Sequence, residues 1–369
     1  MGAQKRSNFN KEIDELRAKI DEVDEKILKL LNRRAKLVRK VGETKNRFEK
    51  GEPGRRVMYR PNRERRILKR LQQINAGPFP KPSIQPVFTE IISACRSLEI
   101  ALQVAYLGPE ATFTHLAARN RFGHYADYCP KRAIEEVFSA VERSKCDYGV
   151  VPIENSTGGT VGETLDCFVD SDLVISSEVK LSISHNFYSK TGKKDKIKRI
   201  YSHPQGTAQS WGWIRSNYPD AEIIEMTSTA EAAKRAKTDP DAAAIAGKLA
   251  GETYGLKVVA KGIEDYKQNF TRFLVIGRDK TQPTDNDRTS LLLSAKDEPG
   301  ILFKALEPFA KNGLNMSKIE SRPLKQKAWE YLFFIDIDGH EQDAKVMKTL
   351  KEVGAHCLFL KVLGSYPRD

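Results

Sequence analysis

The hydrophobic positions of this chain change their period twice. Ile13, Leu16, Ile20, Val23, Ile27, Leu30, Leu37 and Val41 recur at spacings built from threes and fours, with charged residues between them. That is the stripe of one long amphipathic helix. No Pro or Gly interrupts it before Gly42, and GEPG at 51–54 predicts a break. Pro61 predicts the first turn of a second helix, where a missing N–H costs nothing. PFPKPSIQP at 78–86 reads as a Pro-rich joint, and a third helix is predicted over 87–102. From Val104 the grammar becomes short apolar runs (VAYLG, YGVVPIE, LVISSEV, AEIIEM, AAAIAG, RFLVIG) alternating with helical patterns such as AIEEVFSAVERS. That predicts an α/β domain with largely buried strands. It ends near Arg278, and the polar link TQPTDNDR follows at 281–288. The remainder reads strand, helix, strand, strand, helix, strand, an α+β module.

A length of 369 residues fits the two or three domains this pattern suggests. No apolar run approaches the ~20 residues of a membrane span. The N-terminal MGAQKRSNFNKEIDEL lacks an apolar core, so no secretory signal is expected. Cys95, Cys129, Cys146, Cys167 and Cys357 are scattered, odd in number and never spaced as CxxC. Reduced thiols in a cytoplasm are expected, with neither a disulfide framework nor a zinc site. The six histidines are dispersed and form no HExxH, so no metal or cofactor is expected.

The formal charge of +13 is confined to one segment: residues 1–100 carry 25 Lys and Arg against 13 Asp and Glu, and the rest is nearly balanced at 37 against 36. A nucleic-acid surface would interleave aromatics with the cations. This segment has only Phe9, Phe48, Tyr59, Phe79 and Phe88, so a small anion is the better partner. Arg34 and Lys45 are 11 residues apart, ~16 Å along a helix and nearly on one face, suited to gripping a small dianion. Arg17 lies 17 residues before Arg34, ~25 Å away, so it reaches such a ligand only from a second copy of the helix. If Arg17 contributes to the same site, a dimer with swapped long helices follows; otherwise these cations form a solvated basic face.

Farther on, polar turns repeatedly follow short strands. They include YLGPEATFTHLAA at 106–118, VPIENSTGGTVGETLD at 151–166, LSISHNF at 181–187, YSHPQGTAQSW at 201–211 and QNFTRF at 268–273. One would be ordinary surface; several suggest a single cleft. The glycine turn of VPIENSTGG fits neither a P-loop nor GxGxxG. It suits a carboxylate, since N–H groups at a strand-to-helix turn face the ligand.

LRAKIDEVDEKILKLLNRRAKLVRKVGETK, YRPNRERRIL and FTEIISACRSLE resemble the all-helical chorismate mutase family over residues 11–100. The resemblance implies that Arg34 and Lys45 hold the carboxylate and ether oxygens of chorismate. It implies that Arg63 pairs with the other carboxylate, that Glu64 accepts from the ring hydroxyl, and that Arg17 enters from the partner chain. The reaction is pericyclic and needs no nucleophile; the site holds the compact conformer and stabilises charge on the ether oxygen. Glu99 stands where Gln is common, Cys95 where Ser is common and Arg60 where Asp is common. In the role of that Gln, Glu99 would have to carry a proton to donate to the dianion. Mutase activity is then expected to fall with rising pH, and Glu99→Gln to flatten that profile.

GPEATFTH, VPIENSTGG and NFTRF resemble the prephenate dehydratases over residues 104–279. This implies two α/β lobes like a periplasmic binding protein, the second over about 182–260, with the site between them. Thr271 would give a proton or hydrogen bond to the departing ring hydroxyl of prephenate. Arg272 and Phe273 would shape the pocket and Asn269 would orient the turn. Thr112, Asn155, Ser156, Thr157, His185 and Gln209 would bind substrate or hold the loops, while His115 and His203 are read as structural. DRTSLLLSAKDEPGILFKALEPFAKNGLNMSKIESRP and YLFFIDIDGH resemble an ACT domain, a ferredoxin-like fold. That implies a domain dimer with phenylalanine near Gly300, Leu302, Asn315, Glu320 and Ser321. Ile301 stands where Ala is common, which crowds that site.

Together the resemblances imply three domains: all-helical over 1–102, dehydratase over 103–280 and ACT over 288–369. They imply a cytoplasmic homodimer or higher homo-oligomer that turns chorismate into prephenate and prephenate into phenylpyruvate under feedback by phenylalanine. No membrane or nucleic-acid partner is expected. Arogenate in the same cleft, or a silent aromatic-ligand sensor, are the alternatives.

Overall fold

The computed structural model describes residues 2–48, 59–295, 298–323 and 331–369. The break expected at 51–54 and the Lys45 side chain lie outside the described residues. The first helix, α1 (Gly2–Phe48), continues straight through Gly42. It is followed by α2 (Pro61–Ile74) and α3 (Lys81–Ser97). The third helix thus begins earlier and ends earlier than its expected span of 87–102. Pro82 sits in the first turn, where its missing N–H is harmless, and Pro86 forfeits only one bond in the second. The helix stops at Ser97 because Leu102 is drawn into the core of the next domain.

That domain opens with β1 (Gln103–Leu107), α4 (Phe113–Phe122), β2 (Asp127–Lys131), α5 (Ile134–Glu142) and β3 (Tyr148–Asn155). Next come β4 (Gly159–Thr160), α6 (Gly162–Asp170) and β5 (Val174–Ser182). The chain then leaves for a second lobe of β6 (Asn186–Ser189), β7 (Arg199–Ser202), α7 (Pro204–Gln209) and α8 (Trp211–Asn217). This lobe continues with β8 (Glu222–Glu225), α9 (Thr229–Ala236), β9 (Ala242–Ala246), α10 (Lys248–Thr253) and β10 (Lys257–Ala260). It returns through β11 (Phe270–Gly277), which inserts between β3 and β5. The first-lobe sheet runs β2-β1-β3-β11-β5 with β4 beside β3, and the second runs β10-β6-β9-β7-β8. β11 is antiparallel to both neighbours and carries the run Phe273–Ile276 into the core. The two crossings between lobes therefore sit side by side at the mouth of the cleft.

The C-terminal domain is β12 (Asp287–Ala295), α11 (Ile301–Lys311), β13 (Met316–Pro323), β14 (Tyr331–Asp338), α12 (Ala344–Gly354) and β15 (Cys357–Pro367). Its sheet is ordered β13-β14-β12-β15, and its two central strands are buried on both faces. Leu291, Leu293, Ile335 and Ile337 pack against α11 and α12. Their chain neighbours Leu292 and Phe334 join Phe168, Leu165 and Ile175 of the first lobe in one core. Strand alternation thus explains why LLL and FFI read as unbroken apolar runs. β15 lies so close to β5 that a β-carbon at Gly364 would collide with the Ile175 carbonyl. Lys361 of β15 donates to the Phe168 and Ser171 carbonyls at 3.1 and 2.6 Å, satisfying the C-terminal end of α6.

Candidate active sites

The cleft between the lobes holds a cavity of about 220 Å³. Thr271 and Phe273 reach it from β11, Asn155 from the end of β3, His185 from the crossing segment, and Gln205 and Gln209 from α7. Asn155 organises this group. Its Nδ2 donates to Thr271 Oγ1 and to Asn269 Oδ1, both at 2.8 Å. Its Oδ1 accepts from the Thr157 hydroxyl at 2.7 Å, the Gly158 N–H at 2.8 Å and Gln205 Nε2 at 3.3 Å. Gln209 Nε2 donates to Thr157 Oγ1 at 2.7 Å, and its Oε1 accepts from Asn269 at 3.0 Å. The lobes are thereby laced together across the site. Ser156 donates to the Gln268 carbonyl at 3.3 Å and accepts from the Phe270 N–H at 3.0 Å, so it ties two loops rather than lining the cavity.

His185 Nε2 lies 2.9 Å from Gln209 Oε1, an acceptor, so this nitrogen carries the proton. Its Nδ1 is then a buried acceptor with no partner among the described residues. Burial lowers the His185 pKa and keeps the ring neutral. His115 stacks on Tyr106 at 4.6 Å, and its Nδ1 accepts from the Ala111 N–H at 3.1 Å. His203 Nδ1 accepts from the Gln205 N–H at 3.2 Å and caps α7. Both are engaged in local structure.

Among the described residues, no Lys, Arg, Asp or Glu lines the cavity. Instead the N-termini of α4 and α9 open onto it. Thr112 caps α4 by accepting from the His115 N–H at 3.3 Å, and Ser228 caps α9 by accepting from the Glu231 N–H at 3.0 Å. Helix N-termini attract anions through free N–H groups and the helix dipole. Apolar surface comes from Leu107, Phe113, Pro152, Ile183 and Phe273. Sequence reasoning missed Phe113, Gln205 and the Thr227–Ser228–Thr229 turn. The last had a visible signal, three hydroxyls directly after the AEIIEM strand.

Arg272 is a correction. It was expected to shape the pocket, but strand alternation turns it to the other face of the sheet from Thr271. There Nε donates to Glu178 at 2.7 Å, Nη1 to Asp336 at 2.6 Å and Nη2 to Tyr366 at 2.8 Å. Burial opposes its charge, but Tyr366, Asp336 and Glu178 more than offset this and raise its pKa.

In the helical domain, Arg34 of α1 reaches α3, and Glu99, just past the end of α3, reaches α1 near Gly42. Arg34 Nη1 lies 3.5 Å from the Ile91 carbonyl, one turn before Cys95, which is buried. Gly42 allows Glu99 to approach α1, since a β-carbon there would sit 2.7 Å from the Glu99 carboxyl. Glu64 accepts from Arg96 Nη1 at 2.8 Å, and Arg96 also donates to the Phe122 carbonyl of the neighbouring domain at 2.9 Å. Burial pushes the Glu64 carboxyl up against the pull of Arg96 and Arg121. Arg63 is exposed at the start of α2. Arg17 is exposed too, bonded only locally to Asp14 at 3.2 Å.

In the C-terminal domain, Gly300 caps α11 at φ +78° with Leu302 half-buried behind it. Asn315 donates to Asp338 at 3.1 Å. Glu320 and Ser321 were expected at one ligand, yet they alternate on β13. Ser321 is exposed, whereas Glu320 turns to the dehydratase-like lobe and accepts from Thr160 Oγ1 at 2.9 Å.

Residues 16–100 match the chorismate mutase type II family, 104–281 the prephenate dehydratase family and 289–355 the ACT domain. A bifunctional chorismate mutase/prephenate dehydratase of Aquifex aeolicus is 46% identical over 97% of this chain and 98% of its own. One of Escherichia coli K12 is 34% identical over 96% of each. A prephenate dehydratase from Arthrobacter aurescens, solved in complex with L-Phe, superposes with a TM-score of 0.68 at 33% identity. That match covers 72% of this chain and 90% of the other. With relatives matching from end to end and three family patterns in the same order, this chain belongs to the bifunctional chorismate mutase/prephenate dehydratase family.

Proposed function

We propose that the chain rearranges chorismate to prephenate in its helical domain and converts prephenate to phenylpyruvate in the cleft, under feedback by phenylalanine. The observation that carries the second activity is the Asn155–Thr271 hydrogen bond of 2.8 Å in a cavity that no ionic side chain lines among the described residues. Because Thr271 Oγ1 accepts from Asn155, its own proton is free for the ring hydroxyl of prephenate. The ring carboxylate leaves as carbon dioxide. Its bonding pair enters the ring, the C–O bond breaks, and the hydroxyl departs as water with the donated proton; solvent then restores the threonine. Apolar walls favour losing the carboxylate charge. The pyruvyl carboxylate is suited to the N-termini of α4 and α9. A threonine is a weak acid, so positioning and aromatisation supply much of the rate.

The same cavity favours prephenate over arogenate, whose ammonium would meet no carboxylate among the lining residues. The mutase reading is supported by Arg34 of α1 reaching the Ile91 carbonyl of α3 and by Glu99 reaching α1 beside Gly42, with Arg17 from a second copy. The dimer is supported by the apolar stripe of α1, where Ile20 and Leu30 are 59% and 62% exposed. A cytoplasmic site is supported by five free cysteines. No helix among the described residues is long and apolar enough to cross a membrane.

The test is a time course from chorismate alone. Prephenate should rise and then give way to phenylpyruvate. Prephenate that accumulates without phenylpyruvate would overturn the cleft reading, and no turnover would overturn both.

A further inference from the structure

Arg96 of α3 donates through Nη1 to Oε1 of Glu64, in the first turn of α2, at 2.8 Å. The two side chains are 11% and 16% exposed. The Arg96 guanidinium is held on two further sides. Nη2 donates to the Phe122 carbonyl at 2.9 Å, and Cζ lies 5.9 Å from the centre of the Tyr59 ring. Arg121 stands 5.4 Å over the same ring and bonds its hydroxyl. Glu64 thus feels cations from three helices, Arg96 of α3, Arg121 of α4 and Arg34 of α1, with the Tyr59 hydroxyl in the same field.

A buried ion pair adds little net stability, because desolvation consumes its attraction, but it fixes geometry. Arg–carboxylate pairs are frequently bidentate, with both oxygens engaged. Here Arg96 engages Oε1 alone, and Oε2 has no hydrogen-bond partner among the described residues. The carboxylate is held but half used, on a side chain that is not fully sealed. Because Arg34 acts on the same carboxylate, Glu64 borders the proposed mutase site.

We propose that Arg96 is a positioning residue for the mutase reaction, clamping Glu64 by one oxygen and leaving the other to accept from the ring hydroxyl of chorismate. The inference rests on the mutase reading, with Glu64 as the acceptor of that hydroxyl. Arg96 acts through Glu64 rather than on the substrate. The Phe122 carbonyl and the Tyr59 ring hold its guanidinium from behind, so one N–H meets Glu64 in a fixed direction. Without that cation, burial drives Glu64 further toward its protonated form, a poorer acceptor for the hydroxyl.

The test uses the full chain with Arg96→Met, Arg96→Lys, Glu64→Gln, the double variant Arg96→Met/Glu64→Gln and, as control, Arg34→Ala. Turnover of chorismate against pH, of a chorismate analogue lacking the ring hydroxyl, and of prephenate is measured with the melting temperature. Arg96→Met should lower kcat/KM for chorismate by roughly 10-fold, the scale of one hydrogen bond to a charged group. That loss, relative to the unsubstituted chain, should shrink as pH rises and Glu64 ionises without its cation. Arg96→Lys should recover part of it. In the Glu64→Gln background, and on the analogue, Arg96→Met should cost less than about twofold, because the interaction it supports is already absent. Prephenate turnover should stay within about twofold, since no cleft contact is touched. Equal losses on chorismate and on the analogue, or additive losses in the double variant, would make Arg96 merely structural and overturn the inference. So would unchanged chorismate turnover in Arg96→Met. Should Arg96→Met fail to fold, Arg96→Lys, which loses the planar two-sided grip, decides by the same comparison of the two substrates. Normal turnover in Glu64→Gln would remove the acceptor role, and the inference with it, while leaving the mutase reading in place. Normal turnover in Arg34→Ala would remove the mutase reading itself.

Discussion

On the proposed reading Thr271 carries the dehydration, and its neighbours define how. Thr271→Ala should leave fold and mutase intact and cut prephenate turnover at least ~10²-fold, the scale of general acid catalysis. A second residue-scale consequence concerns histidine. Burial holds His115 neutral with its pKa pushed down to about 4, and lowers His185 and His203 as well. The unfolded chain takes up these protons near pH ~6.5, whereas the folded chain does not. Between there and about pH 4 the unfolded state binds more protons, so stability falls as pH falls. Thermal unfolding should show the melting temperature dropping from pH 7 to pH 5. His115→Gln, which retains an acceptor for the Ala111 N–H, should make that drop shallower. A melting temperature level across this range would contradict the buried neutral state.

At the scale of elements, α1 is a long helix with one face unfilled. Leu16, Ile20, Val23, Ile27, Leu30, Leu37 and Val41 are all about half exposed or more. Such a contiguous apolar face is the mark of an interface, and Arg17 on the same helix is bonded only locally among the described residues. Leu30→Asp should dissociate the proposed dimer in sedimentation and lower mutase activity by roughly 10-fold or more, each lost 1.36 kcal/mol being tenfold. Mixing Arg17→Ala with Arg34→Ala chains should restore mutase activity that neither has alone, because a mixed dimer holds one intact site. Absence of restoration would mean that each site belongs to a single chain. The ion cluster behind β11 belongs to this scale too. Removing one partner leaves a buried charge unmatched, which costs about 3–5 kcal/mol.

Across the whole molecule, each domain leans on the dehydratase lobe. Tyr59, just before α2, is buried with Phe122 and Tyr148 of that lobe, and its hydroxyl accepts from Arg121. Lys69 of α2 pairs with Asp285 in the link to the C-terminal domain at 2.8 Å. The C-terminal sheet shares a core with α5 and α6. Phenylalanine should therefore act on more than its own domain. A ligand at 100 times its Kd adds about 2.7 kcal/mol to the state it binds. A rise in melting temperature together with a slower dehydration rate is expected. If saturating phenylalanine changes neither, the C-terminal domain is only a joint.

Much of this was legible in the chain because it depends on local periodicity. The α1 stripe, the buried runs of β3 and β11 and the strand–helix order of the C-terminal domain follow from side-chain spacing alone. So does the clustering of polar turns after strands, which pointed to one cleft, while Asn155, Gln209 and Thr271 were singled out by the resemblance of those turns to a known family. β2 was not legible, since Asp-Tyr-Cys-Pro-Lys has no alternation and is tolerated only as an edge strand. Nor was the start of α3, where prolines argue against a helix unless the first two turns are known. The facing of Arg272 and Glu320 was also hidden. Sequence says that Thr271 and Arg272 point opposite ways in a strand. It does not say that a second domain lies behind the sheet with Asp336 and Tyr366 ready to receive the guanidinium. Those partners are 64 and 94 residues away. Local pattern determined the elements, and the motif resemblance carried by the same residues named the site side chains. Only tertiary packing, which joins charges distant in sequence, decided that one of those side chains belongs to the junction between domains.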